Sequence, residues 1–495
     1  MPLLHQNDLT ISDFFELLDG SGNLELSAEV REEIRLSREF LEKKIQTSEN
    51  PIYGINTGFG ELCRQEIPTS DLDQLQINLV RSHACGVGQP VPKRISRMML
   101  LLKIIGFRTG HSAASPELVQ ALLDFYNAGG TPVVFEQGSL GASGDLVPLA
   151  HMTMAVLGEG EVWQDGNIIS AADFLKQKGL KPYRLRAKEG LAMLNGTQFM
   201  LAYGLESLSR AKKSFENGLA AFALGVDAFE GRMDFLFEGI HSVRRQKGQQ
   251  MVARKLADLR KGSPIAVSGK KQVQDPYSLR CLPQVLGASA DAMDYVHSVL
   301  EAELNAITDN PLVFREDDLV VSGGNFHGQP LALVLDFLAI AVSETGNIAE
   351  RLMYKLISGE RGLPVFLTSN PGLESGFMIP QYSAAALVSQ SKQLCTPASV
   401  DSIVSSNGQE DHVSMGANAG LKLYRVVENT ESVLGILLLA AAQALDFRRP
   451  ARSSPVLEKM HAEFRKFVGF RQSDSWFKPD MDAACDFIKQ YYLEA

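Results

Sequence analysis

No two cysteines in this 495-residue sequence stand in Cys-x-x-Cys spacing, and their number, five, is odd. That excludes a disulfide framework and a zinc ribbon, and it fits a reduced, cytosolic chain. A basic excess is missing as well: 48 Lys and Arg face 58 Asp and Glu, for a formal charge of −10. Such a chain is a poor partner for nucleic acid or an anionic membrane, although a local basic site still suits a small anion. The beginning, MPLLHQNDLTISDFFELL, has no basic segment before an apolar run, so no signal peptide is expected. The apolar stretch Val433 to Ala442 is too short for a bilayer, and a soluble protein is expected.

Proline is absent between Pro182 and Pro264, Pro283 and Pro311, Pro330 and Pro364, and Pro397 and Pro450. Because proline breaks helix interiors, these gaps predict long helices. In LALVLDFLAIAVSETGNIAERLMYK, Leu331 to Lys355, the polar residues Asp336, Ser343, Asn347, Glu350 and Tyr354 fall on one stripe. A helix apolar around the rest of its circumference belongs inside a bundle. The segment Val426 to Phe447 reads alike. The expected fold is mainly α. A smaller, mixed N-terminal domain, residues 1–110, precedes a large bundle of long, nearly parallel and antiparallel helices, residues 111–495. Strand-like pieces occur at Thr131 to Phe135 and Glu161 to Trp163, without βα alternation or internal repeats.

What is present is a set of unusual loops. GSLGASGDLVPLAH, Gly138 to His151, centres on Ala142-Ser143-Gly144. A phosphate loop needs Gly-Lys-Ser/Thr, and a dinucleotide loop needs a surrounding βαβ unit; both are missing. A plain turn remains one reading. The other is self-cyclisation, in which Gly144 N attacks the Ala142 carbonyl carbon and Ser143 loses its hydroxyl, leaving an exocyclic methylidene. Glycine gives the attacking nitrogen room and lets the backbone bend tightly. Asp145 reads as the cap of a following helix with Pro148 in its first turn, and the positive end of that helix makes an electrophile there more electron-poor. YGINTGFG, Tyr53 to Gly60, sets one phenol among glycines, as in an active-site flap. LNGTQ contains Asn195. QDPYSLR spaces Gln274, Tyr277 and Arg280 three apart, on one face if a helix runs through them, and its Arg suits a carboxylate. QEDH contains Glu410, which on its own reads as part of a solvated charge cluster.

Together these stretches, with TDNPL at Thr308 to Leu312 and GGNFHG at Gly323 to Gly328, resemble the ammonia-lyase family that uses a methylidene-imidazolone group. The resemblance runs from about residue 50 to 450 and implies the group forms from Ala142, Ser143 and Gly144. Within the family the chain looks most like the members acting on histidine. His83, in RSHACG, falls on a side-chain-recognition position, and Glu410 suits an imidazole better than a bare phenyl ring. GGNFHG, however, continues as Gln329-Pro330, closer to the members acting on other aromatic amino acids.

The resemblance implies elimination of ammonia from L-histidine to give trans-urocanate, the runner-up being a tyrosine or phenylalanine ammonia-lyase or aminomutase. Tyr53 is then the base for the β-proton, which requires its phenol pKa to fall from about 10. Arg280, with Asn195, binds the substrate carboxylate. Gln274 and Tyr277 position substrate and prosthetic group, and Phe326 packs near the ring. A cytoplasmic homotetramer with shared active sites is implied as well, with an amino acid as its small-molecule partner. His151, His241, His297, His327 and His412 read as structural, and no His/Asp/Glu set has catalytic metal spacing. Two more distant rivals are a helical lyase of the fumarase and aspartase type, with no self-made electrophile, and an inactive helical scaffold.

Overall fold

The computed structural model describes residues 3–48, 51–269 and 272–491, without the side chains of Cys63 and Thr69. Nineteen α-helices carry the described chain, and strands occur only in two-stranded sheets. The protein is mainly α. One sheet pairs Val87–Pro90 with Phe135–Gln137, and another pairs Glu161–Gln164 with Asn167–Ser170, both antiparallel. The strand expected from Thr131 thus begins only at Phe135. Ahead of it, Pro132, which cannot donate to a ladder, makes a single bridge to Val162.

Two compact units make up the chain. The first comprises Met1–Glu206, His297–Asp336 and Pro397–Leu421; the second comprises Ser207–Val296, Phe337–Thr396 and Lys422–Ala495. Inside the first, the helix Lys93–Phe107 buries Met98, Met99, Leu100, Leu101, Ile104 and Ile105 completely and takes Lys103 in with them. The second holds a buried ion pair at 2.7 Å between Arg260 and Asp227, whose carboxylate also accepts from Ser263 and Ser453.

The proline-free gaps hold the helices Gln198–Ala228, Leu282–Leu304, Gln329–Leu356 and Gly416–Asp446. The last begins ten residues ahead of the expected Val426. Gln329–Leu356 and Gly416–Asp446 have the length and hydropathy of membrane spans, although the ten-residue stretch at Val433 did not suggest it. Since 67% and 89% of their apolar windows lie buried within the protein, the core covers the surface a bilayer otherwise would.

The polar stripe on Gln329–Leu356 faces the opposite way from a solvated one. Asp336, Ser343 and Glu350 are buried and Asn347 half-buried, Tyr354 leaves the stripe at 50% exposed, and Leu333, Phe337 and Ile340 are 53, 44 and 42% exposed. Each buried carboxylate has found a donor: Asp336 accepts from Ser399 N at 2.7 Å, and Glu350 from Gln381 Nε2 at 2.5 Å. The helix therefore turns an apolar face outward. The described cysteine side chains, Cys85, Cys281, Cys395 and Cys485, form no disulfide.

Candidate active site

Three other chain segments of the first unit converge on residues 138–145. Asp145 N donates to Gly196 O at 2.7 Å, bringing Gly144 and Gly196 side by side as a parallel bridge. At this approach a Cβ on Gly144 would lie 2.2 Å from Gly196 O, and Gly144 holds φ +77°, so only glycine fits. Among the described residues Gly144 N–H has no acceptor. The Gly141 carbonyl takes the Ser414 hydroxyl at 3.0 Å and Gly328 N at 3.4 Å, and Met415 N donates to Leu140 O at 2.9 Å. Ala142 is buried against Val413 and Met415. An unengaged Gly144 nitrogen, a bent backbone and an unbranched, buried Ala142 fit the cyclised group.

Asp145 does not cap its own helix, Leu146–Val156. Its carboxylate turns to Gln198–Ala228 instead, accepting from Phe199 N and Met200 N, both at 3.0 Å, and from Ser139 Oγ at 2.8 Å. Two orphan amides at the start of a 31-residue helix are satisfied by a residue 54 positions earlier. Complete burial still outweighs these bonds and raises the Asp145 pKa to about 7.

The Ser143 hydroxyl donates to Glu410 Oε1 at 2.6 Å, and Glu410 Oε2 accepts from Ser405 Oγ at 2.9 Å. Glu410 is therefore no member of a solvated charge cluster. His83 feels the same carboxylate: burial lowers its pKa, opposed by its bond to Leu79 O and by the Glu410 charge. Its Nδ1 lies 2.8 Å from Leu79 O, which can only accept, so Nδ1 carries the hydrogen and the neutral ring keeps Nε2 bare.

Asn195 ends the short helix Glu189–Leu194, is buried, and donates from Nδ2 to Asn310 O at 2.9 Å. Beneath it Lys103 Nζ donates to Asn195 O at 2.6 Å and Ala192 O at 3.1 Å; burial drives its pKa down to about 7. Tyr53 OH accepts from Gly60 N at 3.2 Å, and Gly60 abuts Ser406, four residues before Glu410. Phe326 is half-buried, two residues before Gly328.

Gln274, Tyr277 and Arg280 belong to the second unit. No single helical face unites them, because the helix is only Tyr277–Arg280 and Gln274 lies ahead of it. Asp275 holds that turn: it is buried and accepts from Arg232 N at 2.7 Å and Arg361 Nη1 at 2.8 Å. The Arg280 guanidinium stacks over the Tyr277 ring at 4.5 Å and has no carboxylate partner among the described residues. Among the described residues no group of three His, Cys, Asp or Glu is placed to hold a metal.

Residues 9–466 match the sequence profile of the aromatic amino acid lyases. The chain belongs to that family. It is thus an enzyme, a lyase. Histidine ammonia-lyase of Symbiobacterium thermophilum is 45% identical to it over 98% of this chain and 96% of its own. Among solved structures, histidine ammonia-lyase from Trypanosoma cruzi superposes with a TM-score of 0.91 at 40% identity, covering 98% of this chain and 93% of that one. Phenylalanine aminomutase of Pantoea agglomerans superposes with a TM-score of 0.94 at 29% identity, covering 99% of both chains. The fold of this family member therefore serves several substrates, and specificity has to be sought in side chains. Sequence reasoning passed over Lys103, although a lysine inside the apolar run MMLLLKII was a visible signal. It placed Asp145 correctly at the N-cap of Leu146–Val156 but expected its carboxylate to bond there, since nothing local marks Phe199 as its partner.

Proposed function

We propose that the protein eliminates ammonia from L-histidine to give trans-urocanate and ammonium, with a methylidene-imidazolone made from its own Ala142, Ser143 and Gly144. In forming it, Gly144 N bonds to the Ala142 carbonyl carbon and that oxygen departs as water. Ser143 loses its hydroxyl and its α-hydrogen as a second water. The group supplies an electrophile that no standard side chain offers and makes the α-amine a better leaving group.

The residues around it divide the remaining work. Glu410 and His83 recognise the imidazole: a carboxylate accepts a ring N–H, and the bare His83 Nε2 accepts a second donor. Arg280 pairs with the substrate carboxylate, assisted by Asn195, while Gln274 and Tyr277 hold the substrate and Phe326 packs on its ring. Tyr53 takes the β-proton. The observation that carries the histidine reading is the 2.6 Å bond from Ser143 to Glu410, which puts a carboxylate directly on the reactive residue. For a tyrosine or phenylalanine lyase or aminomutase, that carboxylate would face an apolar ring at a desolvation cost. The similar histidine ammonia-lyases support the same choice. The outward apolar face bearing Leu333, Phe337 and Ile340 supports assembly into a homotetramer that shares its active sites. We assign it to the cytoplasm, with no nucleic acid partner and no metal.

The test is an ultraviolet assay with L-histidine beside L-tyrosine and L-phenylalanine, with Ser143→Ala as control. Urocanate from histidine alone, lost in the control, is the expected result. Turnover of tyrosine or phenylalanine instead would overturn the substrate, and an active control would overturn the electrophile.

A further inference from the structure

Two histidines that sequence reasoning set aside as structural meet at the rim of this site. His327 Nε2 lies 3.1 Å from His412 Nδ1, and the rings are 5.1 Å apart between centroids. The residues lie 85 apart in sequence. His327 follows Phe326 directly, and His412 is two residues beyond Glu410.

The direction of this bond follows from a third group. Gln329 N, the first amide of the helix Gln329–Leu356, donates to His327 Nδ1 at 3.3 Å. That amide has no acceptor inside its own helix, and the imidazole supplies one. With Nδ1 engaged as an acceptor, the neutral His327 ring carries its hydrogen on Nε2. Nε2–H therefore donates, His412 Nδ1 accepts, and the second hydrogen sits on His412 Nε2. Protonating His327 Nδ1 would set N–H against N–H, next to the positive end of a helix, so the arrangement has one orientation.

The two loops joined in this way are each fixed to residues 138–145 on their inner side. Gly328 N and Ser414 Oγ reach Gly141 O, and Met415 N reaches Leu140 O. These bonds anchor the ends of the loops near Gly328 and Ser414. Phe326 and Glu410 precede these anchors in their loops, Glu410 itself reaching Ser143, and beside them the histidine pair joins the loops directly.

We propose that His327 and His412 form a one-proton clasp, oriented by the first amide of Gln329–Leu356, that positions Phe326 and Glu410 over Ser143. Both are positioning residues. The inference rests on Glu410 being the partner of the substrate ring.

Its test uses conservative and apolar variants of both histidines in the full-length protein. Asparagine places an amide oxygen where His412 Nδ1 stands, so His412→Asn keeps the acceptor and His412→Leu removes it. We expect KM for histidine to rise about 10-fold in His412→Leu and in His327→Leu, the weight of one hydrogen bond, and kcat to fall less. His412→Asn should remain within about 3-fold of the parent by the same scale, and the double leucine variant should be no worse than either single one. The parent, the two single leucine variants and the double leucine variant are unfolded in urea, where a coupling between positions 327 and 412 reads the bond without substrate. His412→Asn falling as far as His412→Leu, or effects that simply add in unfolding, would overturn the clasp. Coupling in unfolding with no histidine turnover in the parent would keep the clasp and overturn the assigned substrate.

Discussion

Lys103 Nζ and the carbonyl oxygen of Asn195 lie 2.6 Å apart in a place water does not reach. The Lys103 amine closes the C-terminal end of Glu189–Leu194, whose last carbonyls find no donor within the helix, and so fixes the residue that ends it. Lys103→Met keeps the length of the side chain and removes the donor. The expected loss in kcat is roughly 10-fold, the weight of one buried hydrogen bond. Steady-state kinetics checks it, and an unchanged kcat would mean that the bond to Asn310 alone orients Asn195.

Glu410→Gln preserves shape and abolishes charge. Ser143 still finds an amide oxygen, so the chain should still cyclise, and intact mass should show the loss of two waters. Turnover of histidine should fall by about 10- to 100-fold in kcat/KM, since a charge-assisted bond to the ring becomes a neutral one. Phenylalanine should lose much less, because it offers no ring donor.

Gly144→Ala tests the fit of the reactive turn. A methyl group there meets the Gly196 carbonyl at 2.2 Å and a φ of +77°. The expected outcome is an intact mass without the two-water deficit, and a stability loss of about 1–3 kcal/mol from the strained backbone. A normal deficit would show that the turn moves freely enough to ignore the contact.

His151 predicts a pH dependence. Its Nε2 accepts from Gly86 N at 2.9 Å, and burial lowers its pKa from 6.5. Between the lowered folded value and 6.5 the unfolded chain binds more protons than the folded one. Stability is therefore full above 6.5 and is lost as pH falls through the folded value. His83 and His327 are shifted in the same direction, also chiefly by burial. Thermal melts from neutral to mildly acidic pH should show the decline, and His151→Gln, which keeps an acceptor that does not titrate, should flatten it.

The long helices were legible because proline spacing reports where a helix is possible, whatever packs around it. The loops around Tyr53, Ser143 and Asn195 stood out because glycine, serine and asparagine cluster there within an otherwise helix-forming sequence. Asp145 was misread because its neighbours Leu146, Val147 and Pro148 make a good helix start, while its true partners, Phe199 and Met200, are brought to it only by folding. Of the stripe Asp336, Ser343, Asn347, Glu350 and Tyr354, the first, second and fourth share a buried face and Tyr354 does not; periodicity does not tell a solvated polar face from a buried one with donors waiting in Ser399 and Gln381. Lys103 was passed over because its acceptors are backbone carbonyls, which no residue type advertises.

The bond from Asp145 to the start of Gln198–Ala228 also sets an order of events during synthesis. A nascent chain emerging from the ribosome presents Ala142, Ser143 and Gly144 well before Gly196, Phe199 and Met200 exist to grip them. The partner of Ser143, Glu410, arrives 267 residues later. Under the proposed cyclisation the electrophile would follow completed folding, and a half-made chain would carry none to the thiols and amines of the cell.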